Sequence, residues 1–590
     1  MPELASQPGT LEDALANGRK LLGAEPAAAL AQAQAILRAR RGFAPALRLA
    51  AAAHRALGEN EHAQHAEMSA LAAGERDPSL QAIARALGAK QHGEASRLAA
   101  LFLKQSPDDL AALTMSAEAA IALGVADKGL PLLEQVLDRA PDFRPAQMLR
   151  ISALIQLDRL SEARSAIRAQ IDRESGGIAQ LQLLSRISSE AGDWDQVVAM
   201  GRQIVSRPEA TCGDWVSLGD GLRFAGQKRE AVAAYREALA IEPRHGRAWW
   251  SLTDIDARGL EESDVAAMEN ALEVRGNMPE HAGNLHFALG LVYDVRGDHR
   301  RAYEHFGAGN RLRRVAQPYD ADELSRSVDR WIAAFGDAAS IPSRRARSDE
   351  ATPVFIIGMP RAGSTLLERA LGMHSAIEPL GELAIMPNLV KRLERDHPAI
   401  EGHVAAISDD AIAALGESYL ERARERQSEG APFFIDKLHM NWKHLPIILR
   451  AVPTAKVIDL RRDPFDCCWS NYKTLFARGH PAASDLYDLG RFYRDYARQT
   501  DYFRELAPGR VTLVSYERLI DAFEPVIRSL LAFCGLRFEE ACLEFHTSQA
   551  PVATASSEQV REPLNRKGIG TWEPYRAWLD PLREGLGRET

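Results

Sequence analysis

A period constrains this chain more than any other feature of it. The segments KQHGEASRLAALFLKQSP, GVADKGLPLLEQVLDRAP, DRLSEARSAIRAQIDRES, GDWDQVVAMGRQIVSRPE and GQKREAVAAYREALAIEP begin at Lys90, Gly124, Asp158, Gly192 and Gly226, a step of 34 residues each time. Pro107, Pro141 and Pro243 keep the same phase at the segment ends, and Pro208 misses it by one residue. The pattern reads as a helix–turn–helix unit with a small residue at the turn and a closing proline. Such a unit cannot bury its apolar face alone, so neighbours must stack into a superhelix with a concave surface. A further copy, GNLHFALGLVYDVRGDHRRAYEHFGAGNRLRR, starts at Gly283 after an insertion that breaks the step, and less regular helical pairs precede Lys90. Trp215, Trp249 and Trp250 are expected to pack between helices.

The grammar changes at GDAASIPSRRARSDEATP, from Gly336, where Pro, Ser and mixed charge break the helical period. This divides the chain into a helical domain over 1–335, a linker over 336–352 and a second domain over 353–590. In the latter, VFIIG, PFFID, AKVIDL and RVTLVSY alternate with amphipathic segments, the pattern of a parallel α/β sheet with helices on both faces. Ligands of such sheets sit at the carboxyl ends of the strands. A net charge of −9 over 590 residues argues against a general nucleic-acid or membrane-surface binder. With no signal segment and no long apolar span, the chain reads as cytoplasmic. Five cysteines show neither metal-ligand nor disulfide-framework spacing, and Cys467–Cys468 read as buried thiols.

Three stretches carry chemistry. GMPRAGST, Gly358 to Thr365, has the spacing of a phosphate-binding loop, with Ser364 where a nucleotide triphosphatase carries lysine. Its backbone N–H groups and the following helix N-terminus form an anion nest, to which Arg361, Ala362, Gly363, Ser364 and Thr365 contribute. Without lysine the loop suits a single 5′-phosphate. In RRDPFDCCWSNYKTLF, Arg462 closes a strand, Pro464 opens a helix and Ser470 lies two turns along it, so both Arg462 and Ser470 can reach one phosphate. Near the end, SSEQVREPLNRKGIGTW, with Ser557, Arg566, Lys567 and Gly568, forms a basic loop suited to closing over a phosphorylated ligand.

The 34-residue unit resembles the tetratricopeptide repeat. The three loops together resemble the sulfotransferases, whose donor is 3′-phosphoadenosine 5′-phosphosulfate (PAPS). Within that family the nearest likeness is to bacterial proteins that join such repeats to a domain like that of the tyrosylprotein sulfotransferases. The resemblance implies an all-α repeat superhelix followed by a P-loop-type parallel-sheet sulfotransferase domain. It assigns the 5′-phosphosulfate to Pro360–Thr365, the 3′-phosphate to Arg462 and Ser470, and donor contacts to Tyr516, Ser557, Arg566, Lys567 and Gly568. It makes Glu382 in PLGE the catalytic base, with Arg361 and Lys437 in FIDKLHMNW as active-site cations, and calls for no metal. The sequence departs from the animal enzymes at the apolar GELAIMP and at Thr571, where a basic residue is replaced. His374 and His439 are expected to pack. The acceptor is left open among protein tyrosine, another peptide side chain, a glycan and a small phenol. The repeat groove is expected to hold that acceptor or a protein partner, and a homo-oligomer is left open; nucleic acid and membrane are not expected partners. The competing reading is a repeat scaffold with a degenerate nucleotide-binding domain. A P-loop triphosphatase is disfavoured by the missing lysine and magnesium carboxylate.

Overall fold

The structure is a computed structural model and describes residues 10–74, 77–174, 176–273, 278–335, 351–396, 407–428, 430–476, 480–547 and 563–588. It forms two compact units, Met1–Met200 and Gly201–Thr590. The linker expected over 336–352 falls, but for its last two residues, outside the described residues.

The first unit is built of helix pairs such as Pro78–Gly88 with His92–Gln105, and Leu110–Ala122 with Ala126–Arg139. The irregular helices ahead of Lys90 are also paired, as in Ala44–Ala56 with Asn60–Gly74. The turn residues explain the period. Lys90, Gly124, Asp158, Gly192 and Gly226 have φ of 58°, 77°, 61°, 74° and 80°. At each, the next N–H reaches the carbonyl five residues back: Gln91 to Ala86, Val125 to Ala120, Arg159 to Leu154, Asp193 to Ser188 and Gln227 to Leu222, at 2.8–2.9 Å. This is the left-handed helix stop that satisfies orphan carbonyls. The 34-residue step therefore repeats a chirality as well as an apolar face.

The second unit continues with helical pairs, among them Cys212–Phe224 with Lys228–Ile241 and Pro279–Val295 with His299–Ala316, and then builds one sheet. Trp249 is buried and donates its indole N–H to the Pro243 carbonyl at 2.8 Å, while Trp250 meets Phe287 edge-on, so both pack between helices.

The sheet's strands are β1 (Thr352–Gly358), β2 (Ile377–Pro379), β3 (Phe433–Asp436), β4 (Lys456–Arg461) and β5 (Val511–Ser515), in the order β2-β3-β1-β4-β5. Every pairing is parallel. Four strands match the sequence reading; β2 was not anticipated, because three residues carry no readable alternation. Side chains alternate between faces. Val354, Ile356, Ile435 and Ile458 join the core with helices Ser364–Gly372 and Phe523–Cys534. On the opposite side Phe355 stacks on Tyr419, and Trp442 packs against Tyr496. Covering on both faces is what keeps a parallel sheet out of water.

Within this unit the last repeat helices hold the sheet's helices directly. Asn310, fully buried, donates to the Tyr472 carbonyl at 2.8 Å. Ser325 donates to Asp495 at 2.6 Å, and Tyr502 to the Phe335 carbonyl at 2.6 Å. Among the described residues, no helix is long and apolar enough to cross a membrane.

Candidate functional site

All five strands carry a candidate site residue at or just beyond their carboxyl ends: the Gly358 loop after β1, Glu382 after β2, Lys437 after β3, Arg462 after β4 and Tyr516 after β5.

The β1 loop turns through two left-handed residues, Arg361 (φ 66°) and Gly363 (φ 101°), before the helix Ser364–Gly372. A Cβ on Gly363 would stand 2.5 Å from the Tyr516 ring, and one on Gly568 would stand 2.9 Å from the Tyr516 hydroxyl. Both backbones thus press against that tyrosine. Arg361 donates from Nε to Ser470 Oγ at 3.4 Å. Burial pushes its guanidinium pKa down, Asp254 on a repeat helix opposes this, and Arg462 adds to it. Ala362 and Thr365 are buried, and Ser364 opens the helix.

Arg462 clasps two segments. It donates to the Arg361 carbonyl at 2.9 Å and to the Gly568 carbonyl, and it lies over the Tyr516 ring at 5.4 Å. Asp466 stands 3.9 Å away and accepts from the Gly570 N–H, the Thr571 hydroxyl and the Trp572 N–H at 2.7, 2.8 and 3.3 Å. Arg461 is different: it is tied to Asp459, Thr500 and Asp501. The doubled arginine thus divides into a member tied into the fold and a member that lines the cavity described next. Asp463 caps the helix Pro464–Tyr472, accepting from the N–H groups of Phe465 and Asp466 at 3.0 Å.

These elements enclose a cavity of about 320 Å³ whose wall includes Arg361, Arg462, Lys473, Lys567, Ser470 and Thr571. Gly363, Thr365, Tyr516 and Gly568 also line it. Arg566 does not; it is exposed and pairs with Asp521 at 2.5 Å. Ser557 lies outside the described residues.

A second cluster forms at the ends of β2 and β3. The buried Lys437 ammonium donates to Glu382 at 3.1 Å and stands 3.7 Å from Glu368. Glu368, on the loop helix, accepts the Gly381 N–H at 3.1 Å. The Glu382 side chain is 40% exposed, against 3% for Lys437, so the carboxylate meets solvent while its partner does not. Burial pushes the Glu382 pKa up, but Lys437 and His439 outweigh it and hold the carboxylate below the usual range. Burial works against the charge on Lys437 too, and Glu368 and Glu382 overcome it. Beneath both lies Asp436, fully buried, which accepts from the N–H groups of Leu438 and Leu383, the Tyr419 hydroxyl and the Asn441 amide. Burial lifts its pKa to about 7 against those four hydrogen bonds.

Sequence reasoning missed Glu368, Asp436, Asp466 and Lys473. The signal was helical spacing for two of them: Glu368 follows Thr365, and Lys473 follows Ser470, by three residues, one turn and the same face. His374 packs as expected, its ring bonded to the Arg537 carbonyl and the Ala376 N–H. His439 does not merely pack; it sits in the field of Glu382 and Lys437. All five cysteines are buried and unbridged, and burial raises the Cys467 thiol to about 12. Possible metal-ligand atoms of Cys212, Glu242 and His245 lie within 4.8 Å of one another on the repeat helices, where His245 Nδ1 accepts the Ala248 N–H and caps its helix.

Residues 353–540 match the family model described as "Sulfotransferase family", so the sheet half carries a sulfotransferase-family domain. An "Uncharacterized protein" of Aquifex aeolicus (strain VF5) is 28% identical over 414 residues, 68% of this chain and 54% of the relative. The chain therefore spans about half the length of that relative. "Protein-tyrosine sulfotransferase 1" of Danio rerio is 25% identical over 239 residues, 37% of this chain and 65% of that protein. Among solved structures, the "Sulfotransferase Domain from the Curacin Biosynthetic Pathway" aligns with 40% of this chain and 98% of its own, at 17% identity and a TM-score of 0.28.

Proposed function

We propose that this protein transfers a sulfuryl group from PAPS to an acceptor hydroxyl, with Glu382 as general base. The observation that carries the reading is the Glu382–Lys437 pair, set at strand ends in the same sheet as an anion loop that has no lysine. A nucleotide ending in a sulfuryl group presents no γ-phosphate for such a lysine to hold. The loop amides, the helix N-terminus at Ser364 and Arg361 suit the 5′-phosphosulfate, and Arg462 with Ser470 suits the 3′-phosphate. Tyr516, Lys567 and Gly568 complete that cavity wall.

Glu382, ionised at neutral pH, takes the proton as the acceptor oxygen attacks sulfur. The S–O bond to the 5′-phosphate breaks, and the electron pair leaves with that phosphate. Lys437, held charged by Glu368 and Glu382, offsets charge building on the sulfuryl oxygens, a contribution typically worth about 10²- to 10³-fold. Protein tyrosine is a suitable acceptor, since a phenol with a pKa near 10 needs less help from the base than an alcohol does. The zebrafish relative's name is in keeping with this choice. The repeats are assigned to binding the acceptor or a partner, as stacked repeats suit extended ligands.

Thermal protection tests the donor. At about 100-fold excess over its dissociation constant, 3′,5′-ADP should stabilise the protein by roughly 2.7 kcal/mol, and ATP–magnesium should not. Equal protection by ATP–magnesium refutes the reading. Transfer of labelled sulfate from PAPS into a lysate then identifies the acceptor.

A further inference from the structure

We propose that Lys473 is a donor-contacting cation, and that Asp294, on the repeat helix Pro279–Val295, is the positioning residue that aims it. The proposal rests on the donor reading above and extends it into the repeat helices. Lys473 stands just past the helix Pro464–Tyr472, one turn beyond Ser470, and lines the same cavity. No carboxylate is among the described residues that line that cavity. The acid paired with the Lys473 ammonium comes from outside it: Asp294 Oδ2 at 2.8 Å. An ammonium has three donors, so the ion pair leaves N–H groups for a phosphate oxygen.

The other oxygen of the same carboxylate, Oδ1, accepts the Tyr575 hydroxyl at 2.6 Å. Tyr575 packs on Trp469 with ring centroids 4.1 Å apart. It follows Thr571 and Trp572, which Asp466 holds against Arg462. One carboxylate of the repeat half therefore holds both Lys473, in the cavity wall, and Tyr575, four residues beyond the wall residue Thr571. Neighbouring hydrogen bonds fix the geometry: Asn310 donates to the Tyr472 carbonyl and Arg313 to that of Thr474. Lysine is a point charge on a flexible stem, so its usefulness to a phosphate depends on what directs it. Asp294 supplies that direction from outside the set of residues that line the cavity.

The test is calorimetric titration of full-length protein with 3′,5′-ADP, for wild type, Lys473→Ala, Asp294→Asn, Asp294→Ala and the double alanine variant. Removing the charge-assisted hydrogen bond of Lys473 should weaken binding about 10- to 100-fold. Asp294→Ala should weaken it about 5- to 20-fold, and the double variant should match Lys473→Ala within about twofold, because the two residues act as one. Asp294→Asn keeps an acceptor for Tyr575 and guards against simple unfolding; it should fall between wild type and Asp294→Ala, with an unchanged melting midpoint. In turnover, the donor KM should rise while kcat holds. Unchanged binding by Lys473→Ala overturns the donor role of the lysine. Tighter binding by either Asp294 variant would make the carboxylate a competitor for the lysine, and multiplying losses in the double variant would make the residues independent; each overturns the positioning role. Wild-type protein that ignores 3′,5′-ADP refutes the donor reading itself, and this assignment with it.

Discussion

The repeat turns and the phosphate-type loop both depend on left-handed residues, but for different reasons. Around Gly124 and Gly192 an added Cβ would meet nothing within 4 Å. Those turns require only a positive φ, and Lys90 and Asp158 meet the same requirement at a conformational cost of roughly 1–2 kcal/mol each. At Gly363 the added carbon would run into the Tyr516 ring at 2.5 Å, so the loop demands both a sign of φ and the absence of a side chain. A turn that only reverses the chain tolerates substitution; one that must admit another group closely does not. Arg361, at φ 66° between the loop's glycines, accepts strain as Lys90 does, but places its guanidinium inside the cavity wall.

The contrast sharpens most where a single atom matters. Glu382→Gln keeps the shape and loses the basicity, so labelled transfer should fall about 10²- to 10⁴-fold while 3′,5′-ADP still binds. Retention of most of the turnover would make Glu382 a structural residue. Since its carboxylate is held below the usual range, wild-type kcat/KM should show no acid limb from this group near neutral pH.

Next comes a matched pair of glycines. Gly363→Ala should weaken 3′,5′-ADP by about 10²-fold through displacement of the loop. Gly124→Ala should leave binding alone and cost about 1–2 kcal/mol in unfolding free energy. Equal effects on binding would break the comparison.

Asp436 separates the halves by pH. Its folded pKa, about 7, is raised above the ordinary 3.8, so between those values the folded state holds a proton that the unfolded chain has released. Stability from this group is complete below pH about 4 and declines as pH rises through about 7, by on the order of 4 kcal/mol. Chemical denaturation of Asp436→Asn across that range should show a flatter profile, and an unaltered slope would refute the assignment.

The smallest effect belongs to Lys90→Gly. Relief of left-handed strain, offset by glycine's greater freedom when unfolded, should raise stability by about 0.5 kcal/mol, with transfer unchanged. A loss of stability would mean that the lysine side chain contributes more than its backbone costs.

The repeats were legible because their one unusual residue recurs at a fixed step. The sheet was legible where strands were long: VFIIG and AKVIDL announced β1 and β4. Ile377–Pro379 was not, since three residues hide among helices, and its strand order comes from pairings distant in the chain. Arg462 was singled out by its motif at a strand end, Glu382 and Lys437 by the family resemblance alone. Asp436 looked like the last residue of a strand, and nothing local says that it would anchor two loops through Leu383 and Leu438. Arg566 and Lys567 were indistinguishable as a basic pair; Asp521, 45 positions away, separates them. Lys473 needed a partner from the other half of the grammar, 179 positions earlier.

The span of the grip described at Asp294 also has a meaning in time. Its partner Tyr575 lies 281 positions further along the chain. A ribosome adding about 5–20 residues per second needs roughly 15–55 s to make that stretch. The earlier repeats bury their faces against neighbours already synthesised. The helices from Pro279 to Ala316 can do so on one side only, because Tyr472, Lys473 and Tyr575, which meet their other side, do not yet exist when they emerge. For that interval the last repeat helices of the nascent chain carry an uncovered face, which is where a chaperone would be expected to attend.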